Sequence, residues 1–155
     1  MLSKSCEYAI RSVLCIASNQ KSNPELRMGL KQLSETLDIP VHFLGKVMQL
    51  LTRHGILNSF KGRNGGFFLT EKQQNNPLIK IVAVMDGLQS FEHCALGLPS
   101  CSSERPCALH DDFAPVRDGF ALALKTHTIA SLVASHQNGE IFLASVSPEE
   151  TRVKN

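Results

Sequence analysis

Two neighbouring stretches decide the fold: PVHFLGKVMQLLTRH, Pro40 to His54, and KGRNGGF, Lys61 to Phe67. In the first, Leu44, Val47, Met48 and Leu51 recur at the i, i+3, i+4, i+7 spacing of a helix with one buried face. The opposite stripe, His42, Lys46, Gln49 and Arg53, holds only side chains that can bond phosphates or base edges, and no carboxylate. Surface helices ordinarily mix both signs, so this face points to an anionic partner. Gly45 lies beside the stripe and allows close approach of the backbone. Upstream, Leu30, Leu33 and Leu37 predict a short helix over Leu30–Leu37. Asp38-Ile39-Pro40 then makes a tight break, with Pro40 suited to the first turn of the next helix. A short helix, a three-residue turn and a second helix with a basic outer face describe a helix-turn-helix.

Gly55 is placed to end that second helix. Ile56–Phe60 and Phe67–Leu69 read as paired strands, joined by the glycine-rich, doubly basic turn of residues 61–66. Such a hairpin directly after a helix-turn-helix is a wing. Its Lys61, Arg63 and Asn64 are within reach of phosphates or a narrow minor groove. In front of this unit, Cys6, Ala9, Ile10, Val13, Leu14 and Ala17 predict a helix over Ser5–Ser18, followed by a turn at Gln20–Pro24. Behind it, Asn76-Pro77 opens a helix over Pro77–Asp86, ended by Gly87. The expected fold is mainly α with a small β-hairpin wing: a winged helix-turn-helix plus a long dimerisation helix.

Beyond Gly87 the character changes. Residues 90–110 contain prolines, serines and three cysteines with no helical period, while Asp111 and Asp112 suit the positive N-terminus of a longer helix. Phe113, Val116, Phe120, Leu124 and Ala123 would line one stripe of it and meet a partner helix, giving a homodimer with two recognition helices. A short helix over Ile129–Ala134 follows, then a polar tail in which Ile141-Phe142-Leu143 offers one docking contact. The domain division is therefore 1–86 for nucleic-acid binding, 87–110 as a cysteine-containing loop, 111–135 for dimerisation and 136–155 as tail.

Composition sets the outer bounds. The 155 residues are 43% hydrophobic, enough for an ordinary core, and no apolar run approaches the ~20 residues that span a bilayer. Residues 1–76 carry ten Lys and Arg against five Asp and Glu, and residues 77–155 carry six against nine, so the front half is the basic one. Behind Met1-Leu2-Ser3-Lys4 there is no apolar stretch of the secretory kind, so a cytoplasmic location without membrane attachment is expected. Five cysteines in a reducing compartment indicate metal or redox chemistry rather than disulfides. No Ser/His/Asp order, phosphate-binding loop or carboxylate pair stands in a context suited to catalysis, and no enzyme is expected.

The chemistry concentrates in Cys94-x6-Cys101-x5-Cys107-x2-His110, three thiols and an imidazole within 17 residues. These soft ligands allow an iron–sulfur cluster held by three thiolates and completed by His110 or a carboxylate. They also allow a Cys3His zinc site, although the close Cys-x2-Cys pair usual for zinc is missing, or a set of oxidisable thiols without metal. A small metal protein serving electron transfer or assembly without DNA is the competing class, and the basic helix face and wing argue against it. Cys6 falls in the apolar stripe and reads as packing, while Cys15 has no evident role. Glu7 reads as a first-turn carboxylate able to pair with Arg11 at i+4.

From Ser5 to Leu132 the chain resembles the IscR/NsrR-type family of bacterial winged-helix transcription regulators. The resemblance is carried by Glu7-Tyr8-Ala9-Ile10-Arg11, Ile39 to Leu51, the wing through Phe67, Met85-Asp86-Gly87, the three cysteines and Thr128-Ile129-Ala130. It implies a homodimer on palindromic double-stranded DNA, with an iron–sulfur cluster, [2Fe-2S] or [4Fe-4S], or another signal changing affinity. By the same resemblance, His42, Phe43 and Lys46 fall where the recognition helix meets DNA, and Lys61 where the wing cation lies. Cys94, Cys101, Cys107 and His110 fall on the cluster-ligand pattern, with Glu7 as the alternative fourth ligand. The six-residue gap after Cys94 departs from that pattern, being longer than in the cluster-binding members.

Overall fold

The computed structural model describes residues 2–137 apart from Ser100, so residues 138–155, including Ile141-Phe142-Leu143, lie outside the described residues. The chain opens on α1 (Lys4–Ser22), capped by Ser3, whose side chain accepts the Cys6 backbone N–H. Cys6, Ala9, Val13, Leu14, Ile16 and Ala17 of α1 are buried, as the periodicity requires. The helix runs four residues past the expected stop at Ser18, into the first half of the expected turn, where Gln20 is tied down. Its amide donates to the Leu69 carbonyl at 3.2 Å and accepts the Leu69 N–H at 2.9 Å. Sequence periodicity carries no information about such a long-range polar pair.

Next come α2 (Leu30–Leu37) and α3 (Val41–Arg53), separated by Asp38, Ile39 and Pro40. Asp38 closes α2 in the left-handed region, at φ 51°, a conformation that short polar side chains tolerate. Pro40 is the N-cap of α3 rather than a residue of its first turn. Leu33 and Leu37 from α2, and Leu44, Val47, Met48 and Leu51 from α3, are buried together against α1. At its other end α3 stops at His54, followed by Gly55 at φ +70°.

The hairpin is shorter than its sequence suggests. β1 (Asn58–Phe60) pairs antiparallel with β2 (Gly66–Phe68), Asn58 opposite Phe68 and Phe60 opposite Gly66. Ile56 and Leu57, expected in the strand, instead sink into the core directly behind α3. A one-turn helix, α4 (Glu71–Gln74), follows with a capping box between Thr70 and Gln73. The Gln73 side chain also accepts from Asn58 at 2.9 Å and donates to the Gly55 carbonyl at 3.0 Å, which holds the root of the wing to the end of α3.

Then come α5 (Ile79–Met85), a 3₁₀ turn at Gln89–Phe91, α6 (His110–Thr126) and α7 (Ile129–Gln137). The stripe expected along α6 is divided. Leu124 packs into the chain's own core and Phe120 lies against Phe91 with ring centroids 5.9 Å apart, whereas Val116 is 58% exposed and Ala123 also faces outward. Leu122, outside the expected stripe, is the most exposed large apolar side chain of the helix at 63%. The division arises because the end of α6 is anchored: Leu78 donates to the His127 carbonyl, and Ile129 to that of Asn76.

Replacing Gln20 by Leu removes both partners of the Leu69 peptide inside the core. Each buried group left unpaired costs about 1–3 kcal/mol, so a fall in unfolding free energy of at least that size is expected in urea denaturation.

Candidate nucleic-acid interface and metal centre

The outer face of α3 is built by the same periodicity that buries its inner one. His42, Lys46, Gln49 and Arg53 are all exposed, and no acidic residue lies on the helix. Phe43 is 41% exposed and is fixed from behind by Tyr8 of α1, an edge-on contact with centroids 5.5 Å apart. Arg11, one turn further along α1, donates to the carbonyl of Leu37 at 2.8 Å and so holds the last turn of α2. Tyr8 and Arg11 thus set the position of both helices of the helix-turn-helix. The sequence marked them as part of the Glu7–Arg11 stretch that carries the resemblance, and not as holders of these two helices.

At the tip of the hairpin, Lys61, Arg63 and Asn64 are exposed. Gly65 is required there, since a Cβ would stand 2.3 Å from the Phe60 carbonyl oxygen. Lys61 and Arg63 form no ion pair among the described residues.

Glu7 does not pair with Arg11 as its spacing suggested. Its carboxylate meets Lys4 at 2.7 Å on the exposed side of the first turn, because Arg11 is drawn away to Leu37. Asp86, at the end of α5, receives the Ser3 backbone N–H at 2.8 Å and the Ser3 hydroxyl. The base of the cysteine loop is thereby tied to the start of α1. Cys6 beneath it is fully buried, and burial, with Asp86 adding to it, pushes its thiol up to about 12. Burial likewise raises Cys15. Neither sulfur is poised to react.

The loop cysteines are gathered together. The sulfurs of Cys94, Cys101 and Cys107 all lie within 4.8 Å of one another, the Cys94–Cys107 pair at 3.5 Å, and His110 Nδ1 lies 3.3 Å from Cys101 Sγ. No other group of three or more such ligand atoms occurs among the described residues, and neither His110, whose ring meets Cys101 alone of the three thiols, nor Glu7 is part of this one. The loop achieves this with turns: Cys107 accepts the N–H of His110 at the entrance of α6, and Ser102 pairs with Arg105 across a bridge. Phe113 and Arg117 of α6 wall the recess. Backbone N–H groups of Leu98 and Leu96 aim at Cys94 and bring its thiol down to about 7. For Cys101 the Cys107 backbone acts in the same direction, but desolvation and the neighbouring thiols outweigh it and the thiol is raised. Three soft ligands with an imidazole beside them suit a thiophilic metal centre. Sulfurs sharing one tetrahedral ion at ~2.3 Å would be about 3.8 Å apart, and the Cys94–Cys107 pair is near that at 3.5 Å.

Among solved structures, CymR, the global cysteine regulator of B. subtilis, superposes with a TM-score of 0.69 at 19% identity, over 86% of this chain and 96% of that one. T. potens IscR gives 0.68 at 17% identity over 92% of each. The architecture is therefore the winged helix of these regulators. In sequence, the HTH-type transcriptional regulator IscR of Escherichia coli is 22% identical over 130 residues, 84% of this chain and 78% of its own length. Protein rrf2 of Nitratidesulfovibrio vulgaris is 23% identical over 144 residues, 93% and 94% of the two chains. The model of the Rrf2 family, described as "Iron-dependent Transcriptional regulator", matches residues 2–135, and the chain belongs to that family of transcription regulators.

Proposed function

We propose that the protein is a homodimeric transcription regulator that grips double-stranded DNA through α3 and the wing, with its affinity set at the cysteine site. One observation carries this reading: the gathered ligands Cys94, Cys101 and Cys107 stand at the entrance of α6, the helix that leaves Val116 and Leu122 exposed. A signal received by the thiols therefore arrives at the face that a second copy would cover. Apolar side chains of this size favour burial by about 1.5–3 kcal/mol each, and a two-fold partner would present a second α3 to a palindromic site. On this reading His42, Phe43, Lys46, Gln49 and Arg53 enter or flank the major groove. Lys61, Arg63 and Asn64 meet the backbone or minor groove beside it.

Cys94, Cys101 and Cys107 would hold an iron–sulfur cluster, [2Fe-2S] or [4Fe-4S], with His110 as the nearest imidazole for the remaining position. Bound there, such a cluster supplies a centre whose charge and integrity follow redox conditions. The chain does the rest. The loop is tied at one end to Ser3 through Asp86 and continues at the other into α6. Drawing its four ligands together fixes the entrance of α6, and that biases the spacing of the two α3 helices. A second reading, a single Cys3His zinc ion, is favoured by the short sulfur separations, because thiolates on different irons stand further apart than thiolates on one ion.

Protein purified without oxygen is expected to be coloured and to contain iron and acid-labile sulfide. Colourless protein with stoichiometric zinc would establish the second reading, and protein with neither would leave the cysteines as plain thiols. In metal-free protein at pH 7, mass spectrometry after brief iodoacetamide treatment should find Cys94 labelled first, since the thiolate is the nucleophile. Cys6 should stay unlabelled until the protein unfolds. Replacing Lys46 by Ala should weaken operator binding by roughly 1–3 kcal/mol; unchanged affinity would exclude the outer face of α3 as the DNA contact.

A further inference from the structure

Arg27 stands in the segment between α1 and α2, far in sequence from the wing, yet its side chain is part of it. Its neighbour Met28 exchanges two backbone hydrogen bonds with Phe67, donating to the Phe67 carbonyl at 3.0 Å and accepting the Phe67 N–H at 2.9 Å. The segment therefore lies along the free edge of β2 as a third, single-bridge strand. Gly66 makes this approach possible: its φ is +152°, and a Cβ there would stand 2.8 Å from the Met28 carbonyl group. Because Phe60 is paired with Gly66, it shares a face of the hairpin with Phe68, two residues on from Gly66. The Arg27 guanidinium lies over that face, 4.3 Å from the Phe60 ring centroid and 5.4 Å from that of Phe68.

Stacking occupies the flat side of a guanidinium and leaves its N–H edge open. Among the described residues Arg27 makes no ion pair and no hydrogen bond, Glu25 two positions upstream included. Phe60, on which Arg27 rests, directly precedes Lys61, and Arg63 follows two residues later. One step along a strand is ~3.3 Å, so the three cations share one end of the hairpin. No acidic residue occurs from Asn58 to Thr70 to neutralise them. A cation held on two rings, with its donors unpaired, is built to receive an oxyanion that offers two oxygens to parallel N–H···O bonds, and phosphate is the one the wing would meet.

We propose that Arg27 is a phosphate-binding residue of the wing: stacked on Phe60 and Phe68, it presents its N–H edge to a backbone phosphate of the bound duplex. The proposal rests on the DNA-binding reading of α3 and the wing. It assigns a contact to a residue more than thirty positions before the hairpin tip.

The test uses the full chain and a duplex selected by the wild type from a random-sequence pool, with binding followed by fluorescence anisotropy from 50 to 200 mM salt. Arg27→Met keeps an apolar arm on the rings and removes the charge, and Arg27→Lys restores it. Each phosphate neutralised contributes about 0.9 to the slope of log affinity against log salt. Arg27→Met should therefore lower the slope by about that amount, so that its affinity falls roughly threefold less than the wild type's across this range. Arg27→Lys should recover the wild-type slope. An unchanged slope in Arg27→Met, even with weaker binding, overturns the assignment and leaves Arg27 as packing. A slope loss of two contacts or more that Arg27→Lys does not recover also overturns it, since the wing as a whole would then have detached. Absence of any salt-dependent binding by the wild type would instead reject the DNA-binding reading itself.

Discussion

The apolar stripe of α1 is the surface on which the other elements are assembled. Cys6, Ala9, Val13, Ile16 and Ala17 are buried there, and α2, α3, α5, α7 and β2 all pack against that helix. Burial of this kind contributes about 1.5–3 kcal/mol for each large side chain removed from water. Its geometric effect matters as much as its energy. Small residues such as Ala9 and Ala17 let neighbours approach closely, and the polar flank of the same helix then takes hold of what has been brought near. Tyr8 reaches Phe43, Arg11 reaches the end of α2, Gln20 reaches Leu69 and Ser3 reaches Asp86. One helix thus positions α3, the root of the wing and the base of the cysteine loop.

That arrangement couples regions which would otherwise be independent. The cysteine loop starts just after a residue bonded to the first turn of α1 and ends at α6, whose last turn is sewn to the segment before α5. The loop therefore leads directly into the helix that leaves Val116 and Leu122 exposed.

Much of this was legible in the sequence. The helix-turn-helix and the hairpin rest on short-range rules: a 3.6-residue period, a proline at a helix start, glycines in a tight turn. Such rules act between neighbours, so Leu44, Val47, Met48 and Leu51 and the exposed face opposite them could be identified without a fold. The three cysteines were visible as candidates for the same reason. Their gathering within 4.8 Å, with His110 beside Cys101 but outside that group and Glu7 left to Lys4, was not.

The amino-acid sequence by itself determined the local structure of this protein, the sign of its α3 face and the identity of its candidate soft ligands, because each depends on residues a few positions apart. Only the tertiary structure decided which long-range partners those residues took. Gln20 extends α1 by bonding a peptide 49 residues away, Arg11 leaves Glu7 for Leu37, Leu124 turns from an expected partner helix to its own core, and Arg27 joins the wing. The physical reason is the same in each case. A polar or stacking side chain takes whichever partner packing delivers, and packing is a property of the whole chain.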